Sequence, residues 1–435
     1  MNMFHLLKLS DQSGVVINKL TGAWAGGDIA HVTKILECLR NDSENKLFPQ
    51  LDQNMLDLIK HVGLRKKKQA RIICDPSLAV IHIGHSCNLS CTYCYSPKDK
   101  NRITPRVAQQ IAKFLGGAPS DLLIQFMGGE PLLHIPEMEF LIEALNESRQ
   151  GRETTFGIQT NALLLNKAEN LEFLRHYNIH FGISFDGPHG MSKARYGKEA
   201  SKFELQIGRT IHELKSEGRG CGIICVVNHY NVQRLNELIE WCFEQGVEKL
   251  QLNPILPKIK GIPSDVLTSE LSEAMVGAYR IWVDRNWFKT LAIDNFQALE
   301  DNLTSRNRPF MCRKYPCGAG INQLAFDLNG DIYPCDYMVG TARFKMGNVF
   351  TTPFSELRTN AVMEELSNIS FHEGSGSCGE CCFLSICGHC PSNSFFNSNV
   401  LNGPKASCQA DAAVIREILI NLLKNQEYAD HVAAR

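Results

Sequence analysis

The sequence predicts an α/β protein in which helices surround a parallel sheet and a cysteine-rich domain follows. Short apolar runs rich in branched or aromatic residues recur six times from residue 79 onward. Amphipathic segments separate them, which is the pattern of repeated βα units around a parallel sheet. Many of the 17 cysteines crowd into the last third of the 435-residue chain. The six predicted strands are 79–83, 122–126, 155–159, 180–185, 222–227 and 249–252.

Helices are predicted between these strands and at the end of the chain. Their segments carry apolar residues at helical spacing. Six βα units are fewer than the eight that close a full barrel. The predicted helices are 107–115, 138–145, 203–214, 232–243 and 410–424.

The first 75 residues predict a small α+β unit of their own. Residues 4–9 and 15–18 alternate enough to form a hairpin, and amphipathic segments follow at 29–39 and 55–62. Residues 306–309 have the composition of a linker. The sequence therefore predicts three domains, at 1–75, 76–305 and 306–435.

Composition narrows the classes of function and compartment. Lysine and arginine total 45 against 46 acidic residues, which excludes the strong positive field of a dedicated nucleic-acid binder. No stretch approaches the roughly 20 apolar residues that cross a bilayer, and the N-terminus lacks a signal-peptide pattern. We expect a cytoplasmic protein with no membrane and no nucleic-acid partner, whose thiols bind metal in a reducing compartment.

Three cysteines directly after the first strand form the sharpest motif. Cys87, Cys91 and Cys94 have C-x3-C-x2-C spacing. A four-iron cluster needs four protein thiolates to be closed, so three leave one iron open to a small molecule. A zinc knuckle and buried structural cysteines are the alternatives, although zinc favours paired C-x2-C units and four ligands.

This spacing, with Tyr93 before the third cysteine, resembles the radical S-adenosylmethionine (SAM) enzymes. The resemblance implies that the open iron binds SAM and that one electron cleaves it to methionine and a 5'-deoxyadenosyl radical. It also implies a partial (β/α)6 TIM-like barrel with its active site at the C-terminal strand ends.

Further motifs follow the second, third and fourth strands. Gly128-Gly129-Glu130 matches the family's GGE motif, which by resemblance holds the SAM amino group; a simple tight turn is the alternative. Gln159 and Asn161 end the third strand and are also assigned to cofactor binding.

The fourth strand ends in residues to which the resemblance assigns SAM contacts. Ser184 is expected at the SAM ribose or carboxylate, with Asp186 nearby. An Asx turn before the next glycine is the alternative for Asp186. Arg195 is a candidate bidentate partner of the SAM carboxylate, unless it is simply exposed.

A second group of cysteines begins with Cys317 and Cys335, continues as Cys378-x2-Cys381-x5-Cys387-x2-Cys390 and ends with Cys408. This pattern resembles the SPASM domain, which carries two auxiliary clusters. Two fully ligated four-iron clusters need eight thiols, although two structural zinc sites are an alternative. With the first loop, the resemblance implies three 4Fe-4S clusters. It assigns Cys312, Cys317, Cys335 and Cys390 to the first auxiliary cluster, and Cys378, Cys381, Cys387 and Cys408 to the second. The remaining six cysteines, read as structural, are Cys38, Cys74, Cys221, Cys225, Cys242 and Cys382.

Asp336 directly follows Cys335 and is the candidate catalytic residue. Some SPASM enzymes, notably the anaerobic sulfatase-maturating ones, are thought to use an aspartate here as a general base. A carboxylate that accepts backbone N–H bonds in a turn is the alternative.

The order of elements in residues 1–75 resembles the winged-helix peptide-recognition element of peptide maturases, where a leader peptide adds a strand to the sheet edge. A capping subdomain is the alternative.

Together these resemblances predict a radical SAM/SPASM maturase that installs a thioether or carbon-carbon crosslink in a ribosomally made precursor peptide. A flavodoxin or ferredoxin is the expected reductant. Two alternatives are an anaerobic sulfatase-maturating enzyme that oxidises Cys or Ser to formylglycine and a non-catalytic iron-sulfur or zinc scaffold.

Overall fold

The N-terminal unit is a three-stranded antiparallel sheet with one helix against it. The computed structural model describes residues 3–40, 74–255, 264–304, 312, 317–369 and 378–435. The strands β1 (Phe4–Lys8), β2 (Ser13–Asn18) and β3 (Trp24–Asp28) pair in the order β1-β2-β3, and α1 (Ile29–Arg40) follows. The predicted hairpin and first helix are confirmed, and β3 was missed. The predicted helix at 55–62 lies outside the described residues.

A ten-stranded sheet forms the centre of the remaining chain. In chain order its strands are β4 (Leu78–Gly84), β5 (Leu122–Gly128), β6 (Thr154–Thr160), β7 (His180–Ser184), β8 (Gly222–Val227), β9 (Lys249–Pro254), β10 (Ala292–Ile293), β11 (Gln323–Phe326), β12 (Asp331–Tyr333) and β13 (Gly347–Asn348). They are ordered β10-β9-β8-β7-β6-β5-β4-β11-β12-β13. Each of the six predicted strands is confirmed as β4 to β9, within two residues of its predicted bounds.

Strands β4 to β9 pair with one another in parallel, so their C-terminal ends lie at the same edge of the sheet. That edge is where ligands bind in parallel α/β sheets. At the other side of the sheet, β11 pairs with β4 in parallel, with Gln323 opposite Leu78. Strands β12 and β13 continue antiparallel from β11. Backbone hydrogen bonds therefore join the cysteine-rich region directly to the barrel strands. We keep the division at 75 and 305 as a proposal.

Helices cover the sheet between its strands. Their bounds are α2 (Pro105–Leu115), α3 (Ile135–Arg149), α4 (Ala168–His176), α5 (Lys193–Tyr196), α6 (Ala200–Ser216), α7 (Leu235–Gln245), α8 (Thr268–Asp284), α9 (Asp294–Leu303), α10 (Ala361–Ser367), α11 (Pro391–Ser398), α12 (Cys408–Lys424) and α13 (Gln426–Ala434). Thr104 caps α2 by accepting from the Val107 N–H at 3.3 Å, and Pro105 occupies the first helical position, where its missing N–H costs little. The terminal helix predicted at 410–424 is confirmed as α12.

The C-terminal helices close the molecule against the barrel. Helix α12 packs on α8, and Arg280 binds Glu417 across this contact through two N–H···O bonds of 3.0 and 2.8 Å. Glu300 on α9 is fully buried and accepts from the Tyr428 hydroxyl of α13. No helix in the described part of the chain is both long enough and apolar enough for a membrane span.

Candidate functional site

A cavity of about 790 Å³ extends along one face of the parallel strands to their C-terminal ends and reaches the cysteine-rich region. Its volume is in the usual range for a small-molecule site. It brings together most of the residues that the sequence singled out. Those in its wall are Cys87, Cys91, Cys94, Gly128, Gly129, Glu130, Gln159, Asn161, Ser184, Arg195, Cys312, Cys317, Cys335, Asp336 and Cys390. Outside it lie Asp186, Cys378, Cys381, Cys387 and Cys408.

The three-cysteine loop starts where β4 ends. Cys87 is exposed, and Cys91 and Cys94 are half-buried. Burial raises the pKa of the Cys91 thiol to about 11, and the thiols of Cys94 and Cys87 add to this effect. Such thiols keep their protons unless a metal replaces them. Three cysteines in the wall of one open cavity fit a cluster that is bound on three sides.

Two glycines let the end of β5 lie directly on this loop. Gly128 has φ +136°, and a Cβ there would sit 2.1 Å from the Gly84 carbonyl oxygen. A Cβ on Gly129 would sit 2.1 Å from the Ser86 carbonyl oxygen. The Gly129 N–H donates to the Gly84 carbonyl at 2.8 Å. The glycines therefore serve a close backbone approach, as the motif predicts, and the backbone approached is the start of the cysteine loop.

Glu130 is buried and its carboxylate accepts three protein hydrogen bonds. Its Oε1 accepts from the Thr160 hydroxyl at 2.7 Å and the Leu132 N–H at 3.1 Å. Its Oε2 accepts from the Asn161 N–H at 2.9 Å. Burial raises the Glu130 pKa, and these donors oppose that shift. Glu130 thus fastens the end of β6 to the end of β5. Its contact with the SAM amino group stays a proposal.

The residues after β6 and β7 link the strand ends to each other and to the loop. The Asn161 amide donates to the Asn88 side-chain oxygen, inside the cysteine loop, at 2.7 Å. The Gln159 amide donates to the Ser184 hydroxyl at 2.9 Å. These polar groups are therefore pre-positioned around the cavity, and their SAM contacts remain proposals.

Asp186 and Arg195 form a buried ion pair that holds the cysteine loop. Arg195 Nη2 donates to Asp186 Oδ1 at 2.8 Å, the Val226 N–H donates to the same oxygen at 3.0 Å, and the Tyr93 hydroxyl donates to Oδ2. Burial lowers the Arg195 pKa, but the Asp186 carboxylate together with Tyr93, Cys91 and Tyr196 outweighs this effect, so the Arg195 pKa lies well above its usual value. Arg195 is therefore buried rather than exposed. The Asp186 carboxylate binds Arg195 and the Val226 N–H instead of serving only an Asx turn.

We expect Arg195→Met to destabilise the protein by about 3–5 kcal/mol, because it leaves Asp186 charged and buried without its partner. Chemical denaturation under anaerobic conditions measures the loss. The matched control is Arg175→Met, which removes the exposed ion pair with Glu217 and costs at most about 1 kcal/mol. Equal losses in the two variants would contradict the account.

Asp336 has two partners, His82 and Tyr95, that the sequence did not indicate. His82 Nε2 lies 2.7 Å from Asp336 Oδ1, and the Tyr95 hydroxyl donates to Oδ2 at 2.9 Å. Burial and then the Asp336 carboxylate raise the Tyr95 pKa, so the phenol keeps its proton. His82 and Tyr95 both line the cavity. A polar residue inside the apolar run of β4 was the one signal that could have identified His82.

The auxiliary cysteines influence one another's pKa in two sets, which the resemblance assigns to two clusters. Burial, then the thiols of Cys390, Cys317 and Cys312, raise the Cys335 pKa far above its usual value.

In the second set, burial raises the Cys387 pKa to about 12, and Cys381 and Cys408 contribute. Burial raises the Cys378 pKa to about 11, and the thiols of Cys408 and Cys381 raise it further. Within the described ranges, no three His, Cys, Asp or Glu side chains are arranged to bind a single metal ion. The assignment of the two sets to clusters stays a proposal.

The cysteines read as structural are mostly buried. The buried ones are Cys74, Cys221, Cys225 and Cys242, whereas Cys382 is half-buried. Nothing is described of the Cys38 side chain. Burial raises the Cys221 pKa to about 11, which keeps it in the unreactive thiol form.

Comparison with known proteins places two family models on the chain. Residues 81–242 match the radical SAM superfamily, and residues 317–391 match SPASM, an iron-sulfur cluster-binding domain. A serine-type anaerobic sulfatase-maturating enzyme of Bacteroides thetaiotaomicron is 25% identical over 344 residues, covering 72% of this chain and 82% of that one. An uncharacterised protein of Methanocaldococcus jannaschii is 29% identical over 182 residues; the match covers 42% of this chain and 63% of that relative, which is less than two thirds of its length.

Solved structures share the fold. Native anSMEcpe with bound AdoMet and Kp18Cys peptide aligns with TM-score 0.70 and 20% identity, covering 80% of this chain and 98% of that chain. Streptococcus suis SuiB bound to precursor peptide SuiA aligns with TM-score 0.55 and 16% identity, covering 93% of this chain and 97% of that chain. The second likeness extends over more of this chain, and the first is the closer in backbone geometry.

Proposed function

We propose that this protein, a radical SAM enzyme with a SPASM domain, installs an intramolecular thioether or carbon-carbon crosslink in a ribosomally made peptide. One observation carries the proposal. The three-cysteine loop and a carboxylate held by two partners, Asp336, lie in the wall of the same cavity. A site with both can remove a hydrogen atom and a proton from one bound substrate.

The cofactors of this site follow from its thiols. Cys87, Cys91 and Cys94 would hold the cluster that binds SAM, and the two auxiliary sets would hold two further 4Fe-4S clusters. When bound, the reduced cluster and SAM supply a 5'-deoxyadenosyl radical that takes one hydrogen atom from the substrate. The protein positions these groups: the Asp186–Arg195 pair fixes the cysteine loop, and Glu130 fixes the strand ends beside it.

The crosslink removes two hydrogens from the peptide, and they leave in different forms. The first leaves as a hydrogen atom. The second leaves as a proton, which Asp336 would accept, and a bound auxiliary cluster would supply the acceptor for the remaining electron. His82 and Tyr95 orient the Asp336 carboxylate towards the cavity. A flavodoxin or ferredoxin supplies the electron that starts each turnover.

The N-terminal unit supports a peptide as the substrate. Its antiparallel sheet has two edge strands, β1 and β3, to which a leader peptide can add a strand by main-chain hydrogen bonds. The likeness to SuiB bound to precursor peptide SuiA covers 93% of this chain. A capping role for this unit is the alternative. A precursor peptide with a truncated leader that binds the protein as tightly as the full-length precursor would favour the capping role.

A second candidate is oxidation of Cys or Ser to formylglycine in a sulfatase. Relatives named as sulfatase-maturating enzymes favour it, because they align over 72% of this chain. The position of Asp336, directly after Cys335, favours it as well. Oxidation of serine to the aldehyde removes the same hydrogen atom, proton and electron.

The two candidates are separated by the chemistry of their products. After anaerobic reaction with each substrate, the recovered polypeptide is treated with hydroxylamine, which reacts with an aldehyde and not with a thioether or carbon-carbon bond. We expect no adduct on a precursor peptide that has lost two hydrogens. An adduct on a co-expressed sulfatase, together with an unchanged peptide, would favour formylglycine formation.

We expect Cys408→Ala to lose peptide product while it retains SAM cleavage, because Cys408 lies outside the cavity and its cluster only accepts electrons. Chromatography of 5'-deoxyadenosine alongside peptide mass measures both. The control is Cys382→Ala, which removes a non-ligand thiol next to Cys381. We expect this variant to keep both activities. Loss of SAM cleavage in Cys408→Ala, with iron retained at the first loop, would contradict the assigned role.

A further inference from the structure

Two buried lysines flank the second auxiliary cysteine set, and one of them comes from the N-terminal unit. Lys405 Nζ donates to the Cys387 carbonyl oxygen and to Asp411 Oδ2, both at 2.6 Å. Lys19, in the turn after β2, is 3% exposed, and its Nζ donates to the Gly379 carbonyl oxygen at 3.2 Å. Two charged side chains from distant parts of the sequence therefore meet at this set.

The two ammonium groups differ in how the protein compensates them. The Lys405 charge is matched by Asp411, which is itself buried. Among the residues that the structure describes, Lys19 forms an ion pair with Glu380, whose carboxylate is 3.8 Å away and 75% exposed, so solvent screens much of its charge. Burying an ammonium is costly unless an opposite charge offsets it. The geometry at Lys19 calls for a further anion nearby.

That anion is supplied if a cluster occupies the second cysteine set. Four thiolates outweigh the positive charge of an iron-sulfur core, so the assembly is a net anion. Cys381, one of the four, lies two residues from Gly379, whose carbonyl Lys19 binds.

The position of Lys19 is fixed by contacts on both sides. The Ser385 hydroxyl donates to the Lys19 carbonyl oxygen. Gly22 has φ +75° and packs on Ser385, where an added Cβ would lie 3.4 Å from the Ser385 Cβ. The Asn18 side-chain oxygen accepts from the Leu20 N–H at 2.9 Å and shapes the turn. The turn is therefore seated on the loop that carries Cys381 and Cys387.

We propose that Lys19 completes the second auxiliary site, so that the N-terminal unit raises the reduction potential of the cluster held by Cys378, Cys381, Cys387 and Cys408. A fixed positive charge beside an anionic cluster stabilises its reduced, more negative state. This makes the cluster a better acceptor for the electron that leaves the substrate. The inference rests on that cluster being present, as in the proposed function, and not on which peptide is modified.

The proposal gives the N-terminal unit a role besides peptide binding. Reciprocity between coupled sites means that a ligand which displaces Lys19 also shifts the potential, and that the redox state shifts the affinity of that ligand. A leader peptide bound to this unit thus has a physical route to the electron acceptor, through the turn after β2.

The test is a potentiometric titration of the reconstituted full-length protein, followed by electron paramagnetic resonance. We expect Lys19→Met to lower the potential of one auxiliary cluster by about 59 mV, which is a tenfold smaller equilibrium constant for its one-electron reduction. Lys19→Arg keeps the charge and restores most of the shift. Lys34→Met, on the exposed face of α1 in the same unit, leaves all potentials unchanged.

Unchanged potentials in Lys19→Met, or an equal shift in Lys34→Met, overturn the proposal. Iron content resolves the case in which a variant loses a cluster. Loss of one cluster in Lys19→Met but not in Lys19→Arg supports a role for the charge, whereas loss in both variants overturns it. Because the titration uses no substrate, its outcome is independent of whether the proposed crosslinking reaction is correct.

Discussion

Replacing Cys87 with alanine abolishes SAM cleavage in this account. Two remaining thiolates, those of Cys91 and Cys94, cannot hold a cluster whose fourth iron must stay open for SAM. The loss exceeds the about 10–100-fold that removal of an outer partner of a metal ligand typically costs. The measurement is 5'-deoxyadenosine formed from SAM by the anaerobically reconstituted, chemically reduced protein.

The control for this variant is Cys242→Ala. Cys242 is fully buried on α7 and has no ligand role, so its removal leaves the cleavage intact per folded molecule. Iron content should fall by one cluster in Cys87→Ala and stay unchanged in Cys242→Ala. Cys87→Ala protein that still forms 5'-deoxyadenosine at the wild-type rate would refute the assignment of this loop.

Asp336→Asn should eliminate peptide product and leave SAM cleavage in place. The amide keeps the size of the carboxylate and can still accept from the Tyr95 hydroxyl, but it cannot take up the substrate proton. Loss of a general base typically costs about 10²–10⁴-fold in rate. Product formation and 5'-deoxyadenosine are measured in the same reaction, so that the two steps are separated.

Two further variants show whether the effect belongs to this carboxylate. His82→Ala removes the partner 2.7 Å from Asp336 and should lower product formation by less than Asp336→Asn does, because the carboxylate remains. Asp331→Asn changes an acidic residue of the same domain that pairs with Lys345 at the surface and should leave both readouts unchanged. Normal product formation by Asp336→Asn would remove Asp336 from the mechanism.

The barrel strands were predictable because parallel strands covered on both faces are continuously apolar. In β4, for example, Ala79, Ile81 and Ile83 are fully buried and Val80 nearly so. Strand β3 was missed because it contains Gly26 and Gly27, which favour a loop in any reading of local preference. The short strands β11 to β13 form only because β4 offers a free edge, and no local pattern encodes that edge.

The site residues also divide into those that local sequence predicts and those that depend on the fold. Spacing alone identified the cysteine loop and the glycine pair, because both depend on neighbours in sequence. The contact of His82 with Asp336 and that of Tyr93 with Asp186 join distant segments, 254 and 93 residues apart. Such pairs depend on how the strands are ordered in the sheet. Lys19 and the second cysteine set are a third example, since they are some 360 residues apart.

The most direct test of the central claim is anaerobic co-expression with the short peptide encoded nearest the gene, followed by tandem mass spectrometry of the recovered peptide. The account predicts a peptide lighter by two hydrogens, with fragmentation suppressed between the two joined residues, and an unchanged peptide with the Cys87→Ala protein. An unchanged peptide with the wild-type protein, alongside formylglycine in a co-expressed sulfatase, would contradict the crosslinking claim.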